Sequence, residues 1–198
     1  FEGGTEIVVR LLYRSPYAQH TFGRVRVRFA SLSEEGAQLL PTAVTRWSIA
    51  APFTHDDRDK LFDVDFGPQA ELTLDPAHDF GAGRPRWRVD AELVDGELNT
   101  SLPKGVNAIY LGRRVFAPSA RKFDVSLGSD DGFRLFVDGV EVARNKVDRS
   151  GARDQDKATL ELARGAHTLV YEVVNTGGDG AFYWKALRRE GEFGHDSV

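Results

Sequence analysis

The chain has 198 residues, 41% of them hydrophobic and 11% aromatic, which is enough for one substantial core with a smaller unit beside it. Its 26 basic and 30 acidic residues leave a net charge of -4, which argues against nucleic acid or an anionic membrane as partner. No apolar run nears the roughly 20 residues of a membrane-spanning helix, and the absence of cysteine removes disulfides, a thiolate nucleophile, a zinc knuckle and a c-type haem attachment.

In chain order, residues 1–30 read as a hairpin, with Val25, Val27 and Phe29 alternating with Arg24, Arg26 and Arg28. Two strands are rarely stable alone, so this hairpin is expected to be the tail of a preceding β-domain or extra strands of the main one. Methionine is absent, even at position 1, so the chain is expected to be a piece of a longer protein. Residues 31–46, small, polar and acidic with Pro41, read as a linker, and 47–190 as the main domain, followed by a tail over 191–198. Short helical turns are expected near Ser33–Leu40 and Asp57–Phe62, and no longer helix.

Further along, Phe123, Val125 and Leu127 alternate with polar neighbours, as do Phe133, Leu135 and Val137, then Leu160 and Leu162, then Leu169, Tyr171 and Val173, and last Phe182 and Trp184. Asp138-Gly139 suits a two-residue type I′ hairpin turn, and the glycines of Gly177-Gly178-Asp179-Gly180 suit a loop needing positive φ. Many short strands joined by turns predict an all-β protein: an antiparallel β-sandwich with jelly-roll or Greek-key connections.

The main chemical signal is Gly128-Ser129-Asp130-Asp131-Gly132. Adjacent carboxylates repel unless a cation, a basic side chain or backbone N–H groups stand opposite. Asp130 and Asp131, joined by Asn175 and Asp179 if the sandwich brings both loops to one end, form a candidate Ca²⁺ site of oxygen ligands. The local alternative is a turn in which the carboxylates cap main-chain amides. A sugar site would also want an exposed ring. Tyr183, out of phase with Phe182 and Trp184, is the candidate, and Trp47 and Trp87 read as packing residues.

Other features lead nowhere specific. The acidic run His55-Asp56-Asp57-Arg58-Asp59 to Asp63-Val64-Asp65 fails as a calcium loop, because Gly67 stands where the third oxygen ligand belongs and no Glu closes the loop. The histidines His20, His55, His78, His167 and His195 lack the spacing of a helical zinc pair. There is no nucleophile elbow, phosphate loop or dinucleotide fingerprint, and no acid pair stands out for glycoside hydrolysis. No catalytic residue is assigned.

Trp47-Ser48-Ile49-Ala50-Ala51-Pro52-Phe53, Phe62 to Glu71, Arg113-Arg114-Val115-Phe116 and the ending Leu160 to Gly165, Val173-Val174-Asn175, Ala181-Phe182-Tyr183 together resemble a sandwich module of large secreted planctomycete proteins that often carry cytochrome c domains. Residues 1–30, with His20-Thr21-Phe22-Gly23-Arg24, look like the last hairpin of a laminin-G-like domain. Gly128 to Gly132 with Leu135-Phe136-Val137-Asp138-Gly139 is similar to the protective-antigen-type sandwich of bacterial toxins, glycosidases and yeast adhesins. That second resemblance implies Ca²⁺ held by Asp130 and Asp131 against sugar hydroxyls, with a cis peptide between them.

The expectation is therefore a non-catalytic carbohydrate-binding module of an extracytoplasmic multidomain protein, its partners a polysaccharide or glycan and the other domains of its parent chain. The competing expectation is a structural or protein-interaction sandwich in a cell-surface or secreted assembly. A hydrolase with an unrecognised acid pair ranks behind both.

Overall fold

The computed structural model describes residues 33–187. The hairpin expected over 1–30 and the tail over 191–198 lie outside the described residues. The stretch read as a linker opens with helix α1 (Glu34–Gln38), whose N-cap Ser33 accepts a hydrogen bond from the Gly36 N–H at 3.2 Å. Strand β1 (Ala43–Val44) follows.

The strands are β2 (Ser48–Phe53), β3 (Arg88–Val89), β4 (Asn99–Leu102), β5 (Val106–Ala117), β6 (Arg121–Asp130), β7 (Gly132–Val137), β8 (Val140–Asn145), β9 (Asp156–Leu162), β10 (Gly165–Thr176) and β11 (Gly180–Leu187). They form two antiparallel sheets, one ordered β3-β2-β5-β10-β7-β8 with β1 on β5, the other β4-β11-β6-β9. The all-β sandwich read from the alternation is the observed architecture. Val137 pairs with Val140 across Asp138 and Gly139, at φ +50° and +79°, which is the expected type I′ turn.

Between the sheets lies a core of Trp47, Ile49, Ile109, Leu111, Val125, Leu127, Phe133, Leu135, Leu160, Tyr171, Val173, Phe182 and Trp184. Phe133 stacks on Tyr171 at 5.3 Å, and Trp47 meets Phe182 and Trp184 edge-on. Trp47 donates to Asp95 at 2.8 Å, and Asp95 also binds Arg113, whose guanidinium lies 4.3 Å from the Trp47 ring.

A second apolar layer covers the other face of the larger sheet. The excursion between β2 and β3, carrying 3₁₀ turns at Arg58–Asp63 and Pro68–Ala70, lays Leu61, Phe62, Phe66 and Trp87 over Phe53, Ala108, Tyr110, Phe136, Val170 and Val174. Both tryptophans are packing residues, as expected. Within this layer Glu172 is fully buried: it accepts from the Tyr110 hydroxyl at 2.9 Å and lies 3.5 Å from the Arg134 guanidinium, which also binds Glu141. Burial pushes the Glu172 carboxyl up to about 7 and Asp65 and Glu141 add to it, against the Tyr110 hydrogen bond and Arg134, which pull down.

Candidate functional site

The smaller sheet's outer face is covered by the connection between β8 and β9. Gly128 faces it: a Cβ there would fall 1.9 Å from the Ala152 carbonyl oxygen and 3.0 Å from the Tyr183 Cβ. Ser126, on the same face, hydrogen-bonds Asp154. This corrects the expectation for Tyr183. Its side chain does point away from the sandwich core, but it is only 2% exposed beneath the covering connection and offers no surface ring to a sugar.

Where β6 ends, the peptide bond between Asp130 and Asp131 is cis. The two carboxylates have different surroundings. Asp131 is 4% exposed: Oδ1 accepts from the Arg149 N–H at 2.8 Å, and Oδ2 from the Thr176 N–H at 2.8 Å and hydroxyl at 2.6 Å. Three donors, one from the β8–β9 connection and two from the end of β10, thus hold one carboxylate. Asp130 is half-buried and accepts one bond, from the Gly151 N–H to Oδ2 at 3.1 Å.

Burial pushes the Asp130 carboxyl up. The Gly151 hydrogen bond opposes this, while the negative charges of Asp131, Asp179 and Asp148 add to it. Asp130 is thus a carboxylate whose charge its surroundings do not fully offset.

Beside the pair lies an open cavity of about 620 Å³. Asp130, Asp131, Asp148, Arg149, Ser150, Gly151, Thr100 and the turn from Gly177 to Ala181 line it, so four separate segments meet at one end of the sandwich. The two loops expected at one end do meet there. No aromatic side chain is among the lining residues.

The other two predicted ligands are placed differently. Asn175 is fully buried, its Oδ1 accepting from the Gly177 N–H at 2.8 Å while Nδ2 has no partner among the described residues. Asp179 lines the cavity but is exposed and pairs with Lys104 at 2.6 Å. Asp148, also a lining residue, pairs with Arg58 at 3.2 Å. Among the described residues no three His, Cys, Asp or Glu side chains gather in a metal-binding group. Asp63, in the run rejected as a calcium loop, pairs with Lys146 and Arg144.

Sequence reading missed the segment from Asp148 to Gly151, whose amides reach both aspartates. Its only signal was small and polar composition beside Gly151, which is common to ordinary loops.

No protein-family model matches the chain, and no curated protein does. Solved structures with partial similarity include the PA14 domain of the antifreeze protein MpAFP, at 19% identity over 44% of this chain and 46% of that one, with a TM-score of 0.37. The PA14 sugar-binding domain from an RTX adhesin matches at 17% identity over 40% and 46%, with a TM-score of 0.33. A beta-glucosidase from Kluyveromyces marxianus in complex with glucose matches at 14% identity over 71% and 20%, with a TM-score of 0.40. The chain thus spans just under half the length of the first two. None of these comparisons supports the resemblance to planctomycete cytochrome-bearing proteins.

Proposed function

We propose that the sandwich is a non-catalytic carbohydrate-binding module of an extracytoplasmic multidomain protein, and that Asp130 and Asp131 bind sugar hydroxyls through Ca²⁺. The observation that carries this reading is the cavity at the sandwich end with Asp130 facing it. At about 620 Å³ it falls in the range of small-ligand sites, and its walls are hydroxyls, carboxylates and main-chain groups that suit a polyol.

The donor set fits a hard cation. Asp130 Oδ1 has no donor among the described residues, Asp131 Oδ1 receives only one, and the carboxylates of Asp131, Asp179 and Asp148 raise the cost of the Asp130 charge. A cation would offset that cost and take its remaining oxygens from water, main-chain carbonyls and ligand hydroxyls. Asp130 and Asp131 would hold it. The role of Asp179 in this reading is electrostatic, and that of Asn175 is to shape the 177–180 turn through its bond to Gly177. Without a lining ring, discrimination falls to hydrogen bonds rather than stacking.

A second reading is favoured by one observation, the capture of Asp131 by three protein donors, which is what a purely structural turn requires. A glycan array run with Ca²⁺ and with EDTA, beside calorimetric melting in both, separates the two. Ca²⁺-dependent glycan signals and a higher melting temperature, both lost in Asp130→Asn, are the expected result. A blank array with melting indifferent to Ca²⁺ would leave a scaffold module.

A further inference from the structure

The connection between β8 and β9 holds both aspartates from one side: the Arg149 N–H binds Asp131 and the Gly151 N–H binds Asp130, two residues apart on one short segment. Gln155, which donates to the Ser150 carbonyl at 2.8 Å and accepts from the Ser129 N–H at 3.0 Å, anchors that segment together with the Arg149 side chain. The Arg149 guanidinium is mostly buried, donates to Ser129 Oγ at 3.0 Å and to the Ser129 carbonyl at 3.4 Å, and pairs with Asp156. Asp156 also accepts from Asn145 at 2.9 Å, so the two ends of the connection are joined where Arg149 reaches back. Ser129 in turn donates to the Asp131 carbonyl at 2.6 Å.

We propose that Arg149 is the positioning residue of the Asp130–Asp131 site: its planar fork, pinned between Ser129 and Asp156, sets where the 149–151 main chain presents its amides to the two carboxylates. The inference rests on the reading of those carboxylates as the binding site. Only a fork spans two acceptors in fixed directions, so a lysine keeps the charge but not the geometry. Arg58, by contrast, is exposed, pairs with the exposed Asp148 at 3.2 Å, and reaches the aspartates only through the Thr176 hydroxyl, which accepts from Arg58 and donates to Asp131.

The test uses the full chain with Arg149→Ala, Arg149→Lys and Arg149→Gln. Tb³⁺ luminescence sensitised by the protein's aromatic residues, with Ca²⁺ competition, reads cation affinity, and amide hydrogen exchange reads the 149–151 segment. Arg149→Ala is expected to weaken Tb³⁺ binding by roughly 10- to 100-fold, as removal of a group that orients a metal ligand does. Arg149→Lys is expected to recover only part of this, and the amides of residues 149 and 151 to exchange faster while those of β5 and β10 stay protected. Tb³⁺ affinity within about twofold of wild type in Arg149→Ala overturns the proposal. If the wild type itself binds no Tb³⁺, the cation reading fails, and the exchange data then decide alone: unchanged protection at 149 and 151 overturns the positioning role, and its selective loss supports it. Should Arg149→Ala not fold, the same measurements on Arg149→Gln decide.

Discussion

Replacing Glu172 with glutamine is expected to flatten the pH dependence of stability between about pH 4.5 and about 7. Burial holds this carboxyl at about 7 in the folded protein, against 4.5 as its ordinary value. The folded state therefore binds the proton more tightly than the unfolded chain. The associated stability is complete below about pH 4.5 and is lost as pH rises through about 7, beyond which it stays lost. At 1.36 kcal/mol per pH unit the loss is about 3 kcal/mol, a substantial share of a domain's net stability. Glutamine keeps the acceptor that Tyr110 uses and carries no charge at any pH. Urea unfolding of both proteins across this range, plotted as their difference, isolates residue 172 from every other titrating group. Wild type is expected to approach or exceed the variant at acid pH and to fall below it by pH 8. Parallel curves would refute the reasoning, because they would mean that Glu172 ionises inside the fold without penalty.

Gly128→Ala is expected to lower stability by about 1–3 kcal/mol in thermal or urea unfolding, because the new methyl would overlap the Ala152 carbonyl. Asp131→Asn places an NH₂ against donors from Arg149 or Thr176, and a loss of about 1–3 kcal/mol by urea unfolding is expected. Asp130→Asn, by contrast, removes a carboxylate held at an unfavourable charge and is expected to melt no lower than wild type in EDTA. The His167 ring faces the Asp138 carboxylate at 2.6 Å and the Ala163 carbonyl at 2.8 Å, and only the protonated ring donates to both. Burial lowers its pKa, but these bonds outweigh burial and the net direction is upward. The latch should therefore stabilise the fold below the ordinary histidine range and fade as pH rises through the raised value, readable as a histidine titration above 6.5 by NMR.

The sandwich was legible because period-two alternation reports which side chains face the core: Val125 and Leu127, Phe133 and Leu135, and Phe182 and Trp184 all sit there. The second layer had a signal that alternation hides. Ile109-Tyr110-Leu111 and Leu169-Val170-Tyr171 are unbroken apolar runs, and a strand buried on both faces needs no polar side. Tyr183 shows the matching limit: parity placed it on the outer face, but whether that face meets water depends on Ala152, a residue with no pattern to read. The aspartate pair stood out by composition. Its partners Arg149 and Thr176 lie 18 and 45 residues away and bind through main-chain amides, which every residue except proline carries.

Because the cavity's walls come from residues near 100, 130, 150 and 180, no excised peptide carries the pocket. It exists only after the two sheets have closed, so occupancy by any small molecule is thermodynamically coupled to cooperative folding of the whole module. Truncations that spare all four segments but weaken a distant strand should then appear as lost affinity. A tight ligand would in turn rescue such variants, acting as a chaperone for regions it never touches.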